Sequence, residues 1–144
     1  MIPDFLWNRI ERWLNLRPHS QWEIEYYVKR RIKKWQIRVE ITEKEVLGMI
    51  EKAGYVNDEV FARWWTEQRV EFKRFGPIRI RSELMQKHVE RRLIDQVVSE
   101  IVKPIEKALI DDWKEQITAK KPDWDKNKVT KFLLAKGFTF DSIA

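Results

Sequence analysis

The helical character of this chain is clearest in the segment Gly54-Tyr55-Val56-Asn57-Asp58-Glu59-Val60-Phe61-Ala62, which contains the end of one helix and the start of the next. Gly54 has no Cβ, so it can adopt the left-handed conformation that often ends a helix. Asn57 and Asp58 then suit a helix start, because their side-chain oxygens can accept hydrogen bonds from free backbone N–H groups. Phe61 beside the small Ala62 favours a close helix crossing. The segment therefore predicts a helix, a tight turn and a second helix.

A second informative segment follows as Gly76-Pro77-Ile78-Arg79-Ile80-Arg81-Ser82-Glu83-Leu84-Met85-Gln86-Lys87. Gly76 is expected to end the preceding helix, and Pro77 is tolerated at the first position of the next one, where no N–H is needed. Ile80 and Leu84 are four residues apart and therefore share one face of that helix. We expect both of them, with Tyr55 and Phe61, to pack in the core.

Helical spacing of apolar residues continues through nearly the whole chain. Ser20 with Glu23, and Thr42 with Glu45, each match the capping-box pattern that begins a helix. Residues 35–41 alternate apolar and polar side chains, so this connection could be helical or extended, although an isolated strand would have no partner. The pattern predicts an all-α protein with nine helices and no sheet.

The chain also shows an internal repeat. Ile80, Leu84 and Lys87 recur at a constant offset as Val129, Leu133 and Lys136. A single group of three helices has too little core, so neighbouring groups are expected to pack together. The sequence predicts an elongated array of three tandem three-helix units at residues 1–54, 55–103 and 104–144. The first unit matches least well, because its second and third helices are separated by several extra residues.

Composition narrows the possible functions. The 144 residues carry a formal net charge of +6, which favours a polyanionic partner but is also common in soluble proteins that have none. There is no cysteine, which excludes disulfides and thiolate metal sites. We find no apolar run of membrane-spanning length and no signal-peptide pattern, and therefore expect a cytoplasmic protein.

No catalytic arrangement is recognisable. His19 and His88 lie in different units, each in a turn where a solvated histidine is the expected case, and they lack metal-ligand spacing. Asp111 and Asp112 are adjacent on a helix, so their side chains point about 100° apart and do not form a carboxylate pair. We predict a protein that is not an enzyme and that needs no cofactor or metal.

The basic residues are unevenly distributed. Residues 63–92 contain nine Lys or Arg and four Asp or Glu, whereas residues 95–115 contain six acids and three bases. This polarity suits oriented docking on a charged partner, although each cation could instead belong to a solvated face. One of Arg79 and Arg81 could pair with Glu83 inside the protein, whereas Arg69 and Lys73 lie one helical turn apart. The candidate partner-binding residues are Arg69, Lys73, Arg74, Arg79, Arg81 and Lys87, with Lys29, Arg30, Lys33 and Lys34 in an acid-free cluster near the N-terminus.

The two central segments resemble the RecX family, whose members regulate the RecA recombinase. Arg17-Pro18-His19-Ser20 followed by Glu23 is similar to the family's opening motif. His88 stands where the family commonly has Gly, and Arg31-Ile32 stands where Lys-Gly is usual. The residues that carry the motif in the central module are Gly54, Tyr55, Asp58, Phe61, Ala62, Gly76, Pro77, Ile80 and Leu84.

The resemblance implies a protein that lies in the helical groove of the RecA–single-stranded-DNA filament, and we expect it to be a monomer. There it would slow filament extension, ATP hydrolysis and strand exchange in recombination, DNA repair and the SOS response. Two alternatives stay open. The chain could bind DNA directly, with Trp35 or Trp64 stacking on exposed bases, or it could be a general helical-repeat adaptor.

Overall fold

The computed structural model describes all of residues 1–144 and contains nine α-helices and no strand. The all-helical prediction and the number of helices are confirmed. A π-helical turn at Arg69–Lys73 continues α4, and a 3-10 turn at Lys103–Ile105 precedes α7. The helices are α1 (Asp4–Leu14), α2 (Gln21–Trp35), α3 (Glu43–Lys52), α4 (Asp58–Gln68), α5 (Pro77–Gln86), α6 (Arg91–Ile101), α7 (Glu106–Lys120), α8 (Lys126–Ala135) and α9 (Phe140–Ile143).

The predicted helix starts are present with one change. Ser20 accepts a hydrogen bond from the Glu23 N–H, and the Glu23 carboxylate accepts one in return from the Ser20 N–H. Thr42 accepts from the Glu45 N–H at 3.1 Å, but its hydroxyl group, instead of its backbone N–H, donates to the Glu45 carboxylate. The first capping box is therefore complete, and the second is only half formed.

The helix ends show where glycine is needed. Gly54 has a φ of +87°, as predicted for a left-handed helix end. The π-helical turn after α4 ends in left-handed backbone at Arg74, with a φ of 50°, so the prediction that Gly76 ends this helix was wrong. Gly76 is required for a different reason, since a Cβ there would lie 2.5 Å from the backbone of Gly137.

The chain divides into two compact units. The first comprises residues 1–61 with 87–89 and contains α1, α2 and α3. Its core includes Ile10, Ile24, Val28, Val46 and Ile50, which are at most 1% exposed. After α2 the connection forms turns at residues 36–38 and is not a strand, while Trp35 and Ile41 at its two ends are buried.

The second unit comprises residues 62–86 and 90–144. Ile80, Leu84 and Ile94 are almost fully buried in it, and Leu133 and Phe138 belong to a cluster formed by α7, α8 and α9. The nine helices fall three by three within the ranges 1–54, 55–103 and 104–144. The division into three repeat units stays a prediction beside this two-unit organisation.

Candidate partner-binding surface

The residues of the central motif form the framework of the fold. Phe61, Ile80 and Leu84 are each 0% exposed, so their predicted place in the core is confirmed, and Ala62 is 0% exposed as well. Gly76 and Pro77 are buried as well. These side chains are therefore unable to contact a partner directly, and any influence they have on binding is through the position of the helices.

Two polar motif residues tie elements of the first unit together. Tyr55, also predicted for the core, is only partly buried and packs against the core of the first unit. The Tyr55 hydroxyl group shares its one hydrogen between the Glu11 carboxylate at 3.0 Å and the side-chain oxygen of Asn15 at 3.3 Å. The Asp58 carboxylate accepts from the backbone N–H of Gln21 at 2.7 Å. Gln21 is the first residue of α2, where free N–H groups attract negative charge. Asp58 therefore stabilises the start of α2 as well as lying in the first turn of α4.

Arg69 is engaged inside the second unit. Its Nε donates to Glu83 at 3.0 Å, and its guanidinium group lies 4.2 Å from the centre of the Trp65 ring. The Trp65 indole N–H donates to the same carboxylate at 3.1 Å. The expectation that Glu83 could pair with Arg79 or Arg81 was wrong, because Glu83 pairs with Arg69 and Arg81 pairs with Asp95 on α6.

Arg74 and Arg79 also pack against aromatic rings. Arg74 lies 5.2 Å from the centre of the Trp113 ring, whose N–H donates to the Arg74 carbonyl at 2.8 Å. Arg79 lies 3.8 Å from the centre of the Phe75 ring and donates to the Ala135 carbonyl at 3.4 Å. Lys73 is exposed and forms no ion pair. Of this group, Lys73 and Arg79 present the most accessible charges.

Lys87 forms part of a buried ionic cluster in the first unit. Its Nζ lies 3.1 Å from Glu23, which is 9% exposed and also binds both terminal nitrogens of Arg17, at 2.7 and 3.1 Å. Burial by itself raises the pKa of Glu23, but hydrogen bonds from Arg17, the Ser20 N–H and Lys87 outweigh it and lower the pKa to about 2. Sequence reasoning identified the helix cap and missed this cluster.

The two histidines differ from each other. His19 is 5% exposed, stacks on Trp13 with ring centres 3.8 Å apart, and donates from Nε2 to the Trp13 carbonyl at 3.0 Å. Burial lowers its pKa, so the expectation of a solvated His19 was wrong. His88 is exposed, as expected, and its φ is 60°. The resemblance places Gly at this position, which suits such left-handed backbone.

A group of accessible cations lies on α2. All of its basic residues are exposed, and none of them forms an ion pair. Arg30 lies 5.5 Å from the ring centre of Tyr26, which is itself 49% exposed. This exposed basic surface of α2 consists of Lys29, Arg30, Arg31, Lys33 and Lys34.

An aromatic row that sequence reasoning missed is formed by Trp22 and Tyr26 of the same helix together with His88. The Trp22 ring stacks on His88, with centres 4.6 Å apart, and lies 5.4 Å from the ring of Tyr26. Trp35 is only 7% exposed, so the suggestion that it stacks on a nucleobase was wrong. The sequence does not predict this row, because His88 is distant from α2 along the chain.

Two further observations concern other possible functions. The structure contains no group of three or more His, Asp or Glu side chains that could hold a metal ion. None of the helices is both long enough and apolar enough to cross a membrane.

The fold belongs to the class of short helices in groups, with the motif residues Phe61, Ala62, Ile80 and Leu84 buried and cations such as those of α2 exposed. Residues 57–98 match the second three-helix domain of RecX. This chain is thus similar to the RecX family in its central region, in agreement with the resemblance found in the sequence.

Two relatives are named regulatory protein RecX. The protein from Listeria welshimeri is 30% identical over 93 residues, covering 65% of this chain and 33% of that protein. The protein from Thermus thermophilus is 27% identical over 92 residues, covering 64% of this chain and 58% of that protein. The matched region thus spans less than two thirds of either relative.

Solved structures share the fold. The crystal structure of RecX from Lactobacillus salivarius aligns with a TM-score of 0.73 at 17% identity, covering 94% of this chain and 88% of that one. A second crystal structure of regulatory protein RecX aligns with a TM-score of 0.72 at 16% identity, covering 94% and 66% of the two chains.

Proposed function

We propose that this chain binds the RecA–single-stranded-DNA filament in the cytoplasm and mainly inhibits it. The expected effects are slower ATP hydrolysis, filament extension and strand exchange, and hence control of recombination, DNA repair and the SOS response. The observation that carries the proposal is the match of residues 57–98 to the second three-helix domain of RecX. The role requires a binding surface and no catalytic group of the chain's own.

The exposed basic surface of α2 is the best candidate for the electrostatic part of this contact. A filament that contains DNA is polyanionic, and exposed cations bind such a partner by displacing its counterions. Lys73 and Arg79 are further candidates, since both side chains are exposed. Arg69, Arg81 and Lys87 already have carboxylate partners, so we assign them to shaping the surface.

The direct test is the ATPase rate of RecA on single-stranded DNA in the presence of this protein. We expect a clear decrease in the rate at substoichiometric amounts of protein to RecA. An unchanged rate at a several-fold molar excess would contradict the proposed function.

The surface assignment is tested separately with the double variant Lys29→Glu and Lys33→Glu. These lysines lie one turn apart on α2 and are exposed, so folding should be preserved. We expect filament binding to weaken markedly, and the difference to shrink as salt rises past about 0.15 M, where the Debye length is about 8 Å.

The matched control is Lys107→Glu with Lys131→Glu, which changes the net charge equally at two exposed lysines of other helices. Equal loss of binding in both double variants would mean that only net charge matters. The α2 assignment would then be wrong, while the ATPase result would still stand.

Direct DNA binding is a second candidate, and the aromatic row favours it. Trp22, Tyr26 and His88 present stacked rings beside Arg30, an arrangement that suits single-stranded nucleic acid. The test is binding of a labelled single-stranded oligonucleotide in the absence of RecA. Tight binding that is lost in Tyr26→Ala, without any effect on RecA ATPase, would favour this function over the first.

A further inference from the structure

A groove in the first unit combines an apolar base with a cationic rim. It has a volume of about 440 Å³ and lies between α1 and the turn that follows α2. Leu6 and Trp35 are 2% and 7% exposed and form its base. Phe5 and Ile37, at 60% and 80% exposed, form its apolar edges. These apolar residues line one continuous groove, and a continuous exposed apolar patch with a polar rim is typical of an interaction site.

The charged residues that line the groove all carry the same sign. Arg9, Lys34 and Arg38 are exposed, none of them forms an ion pair, and no Asp or Glu lines the groove. Three unpaired cations around an apolar cleft raise the local positive potential. The groove is therefore complementary to a ligand that has an apolar centre and negative charges on either side.

We propose that this groove binds an acidic peptide segment of a partner protein. One bulky aliphatic or aromatic side chain of the peptide inserts between Phe5 and Ile37. Carboxylates next to it along the peptide pair with Arg9, Lys34 and Arg38. Such an arrangement resembles other peptide sites, in which a pocket supplies the affinity and surrounding charges set the orientation.

A peptide fits this groove better than a nucleic acid does. Binding of single strands depends largely on stacking of successive bases on open ring faces. The Trp35 ring at the base of the groove is 7% exposed, which leaves Phe5 at the edge as the one open ring of the groove, too few for successive bases to stack. The walls are aliphatic at Leu6, Ile37 and Val39. The polar edges of an inserted base would therefore lose their hydrogen bonds to water without replacement, which is costly.

The groove is separate from the features that support the proposed function. Its residues lie between positions 5 and 39, outside the region 57–98 that matches the RecX domain. Part of it is built by the connection after α2, where this sequence has extra residues compared with its own other units. The inference does not depend on RecA binding, although Lys34 also belongs to the exposed basic surface of α2.

The test uses the full chain and fluorescently labelled short peptides made of Asp and Glu with one central Leu. We expect this peptide to bind, and a peptide with Ser in place of Leu to bind roughly tenfold more weakly or worse, because the apolar contact is lost. A peptide with Asn and Gln in place of the acids is expected to lose binding as well. Absence of binding by the Leu-containing acidic peptide at millimolar concentration would overturn the proposal.

Protein variants locate the site. Ile37→Ser and Arg38→Gln change exposed side chains and should fold normally, and we expect each to weaken peptide binding about fivefold or more. The matched controls are Ile78→Ser, at an isoleucine that is 53% exposed in the second unit, and Lys131→Gln. The controls should leave peptide affinity unchanged.

Two outcomes would overturn the proposal at this stage. One is equal peptide affinity for Ile37→Ser and the unaltered protein, which would place the peptide elsewhere. The other is tighter binding of an oligothymidine than of the peptide, with that binding reduced by Ile37→Ser, which would make the groove a nucleic-acid site.

Discussion

Replacing Glu23 by Gln should destabilise the first unit strongly. Glu23 is 9% exposed and is held by Arg17, by Lys87 and by the N–H of Ser20. Glutamine keeps the shape of the side chain and can still accept the Ser20 hydrogen bond. It removes the negative charge, so Arg17 and Lys87 lose their common counter-ion. The prediction therefore isolates the contribution of one charge in a buried cluster.

The size of the effect follows from the pKa of Glu23. Lowering this pKa from 4.5 to about 2 corresponds to about 3 kcal/mol of unfolding free energy at neutral pH, since each tenfold preference for the ionised form is worth about 1.4 kcal/mol. Arg17 and Lys87 are 31% and 28% exposed and can regain some hydration in the variant. We therefore expect a loss of about 2–3 kcal/mol, slightly below the usual cost of breaking a buried ion pair.

The pH dependence has a definite sign. A carboxyl group whose pKa is lower in the folded state stabilises the fold fully above its unfolded pKa and loses that contribution as pH falls. For Glu23 the loss should extend from about pH 4.5 down to about pH 2. The lowered pKa of His19 also weakens the fold as pH falls below 6.5, and this effect is larger in the variant, because the Glu23 charge partly opposes the lowering. The loss that belongs to Glu23 itself is therefore read in the window from about pH 4.5 down to about pH 2.

The assay is urea denaturation followed by tryptophan fluorescence and far-ultraviolet circular dichroism at several pH values from 7 to 2.5. The matched control is Glu25→Gln, at an exposed glutamate of the same helix, with an expected change under about 0.5 kcal/mol. A Glu23→Gln loss below about 1 kcal/mol at pH 7 would refute the reasoning. A difference in unfolding free energy between the two proteins that stays constant from pH 7 down to pH 2.5 would also refute it.

Two further predictions concern packing in the second unit. Gly137→Ala should lower the unfolding free energy by more than about 2 kcal/mol, measured by thermal denaturation, because the backbone there has a φ of +98° and the new Cβ would lie 2.3 Å from that of Arg79. Gly48 lies in a helix, and a Cβ added there would meet nothing within 4 Å, so Gly48→Ala should instead stabilise the protein by about 0.5–1 kcal/mol. Equal effects of the two substitutions would contradict this account. Glu106→Ala should cost about 1–3 kcal/mol and speed amide hydrogen exchange in α9, because the buried carboxylate accepts hydrogen bonds from Thr139 and Ser142 at 3.0–3.1 Å. Unchanged exchange in residues 140–143 would show that Glu106 does not hold this helix.

Local signals in the sequence predicted most of the helices. The Ser20–Glu23 capping box, the left-handed Gly54 and the i, i+4 pair Ile80 and Leu84 all depend on residues a few positions apart, and the structure contains each of them. Patterns of this kind reflect local backbone chemistry, so a single sequence is enough to recognise them.

Features that depend on distant residues were not predictable in the same way. Glu23 meets Lys87, and Trp22 stacks on His88, only after the chain has folded. Charge alone did not distinguish cations that have a carboxylate partner, such as Arg69, from cations that remain exposed, such as Lys29. For the same reason, the sequence identified the set of candidate binding residues but not which of them are accessible.

The composition of the first unit has a consequence for synthesis on the ribosome. Residues 87–89 belong to this unit, although 25 residues of the second unit, 62–86, precede them in the chain. Until Lys87 emerges, a nascent chain that already contains α1, α2 and α3 holds Glu23 with only one of its two cationic partners. The first unit therefore cannot finish folding before part of the second unit has been translated. The order in which the residues are synthesised differs from the order in which their final contacts form.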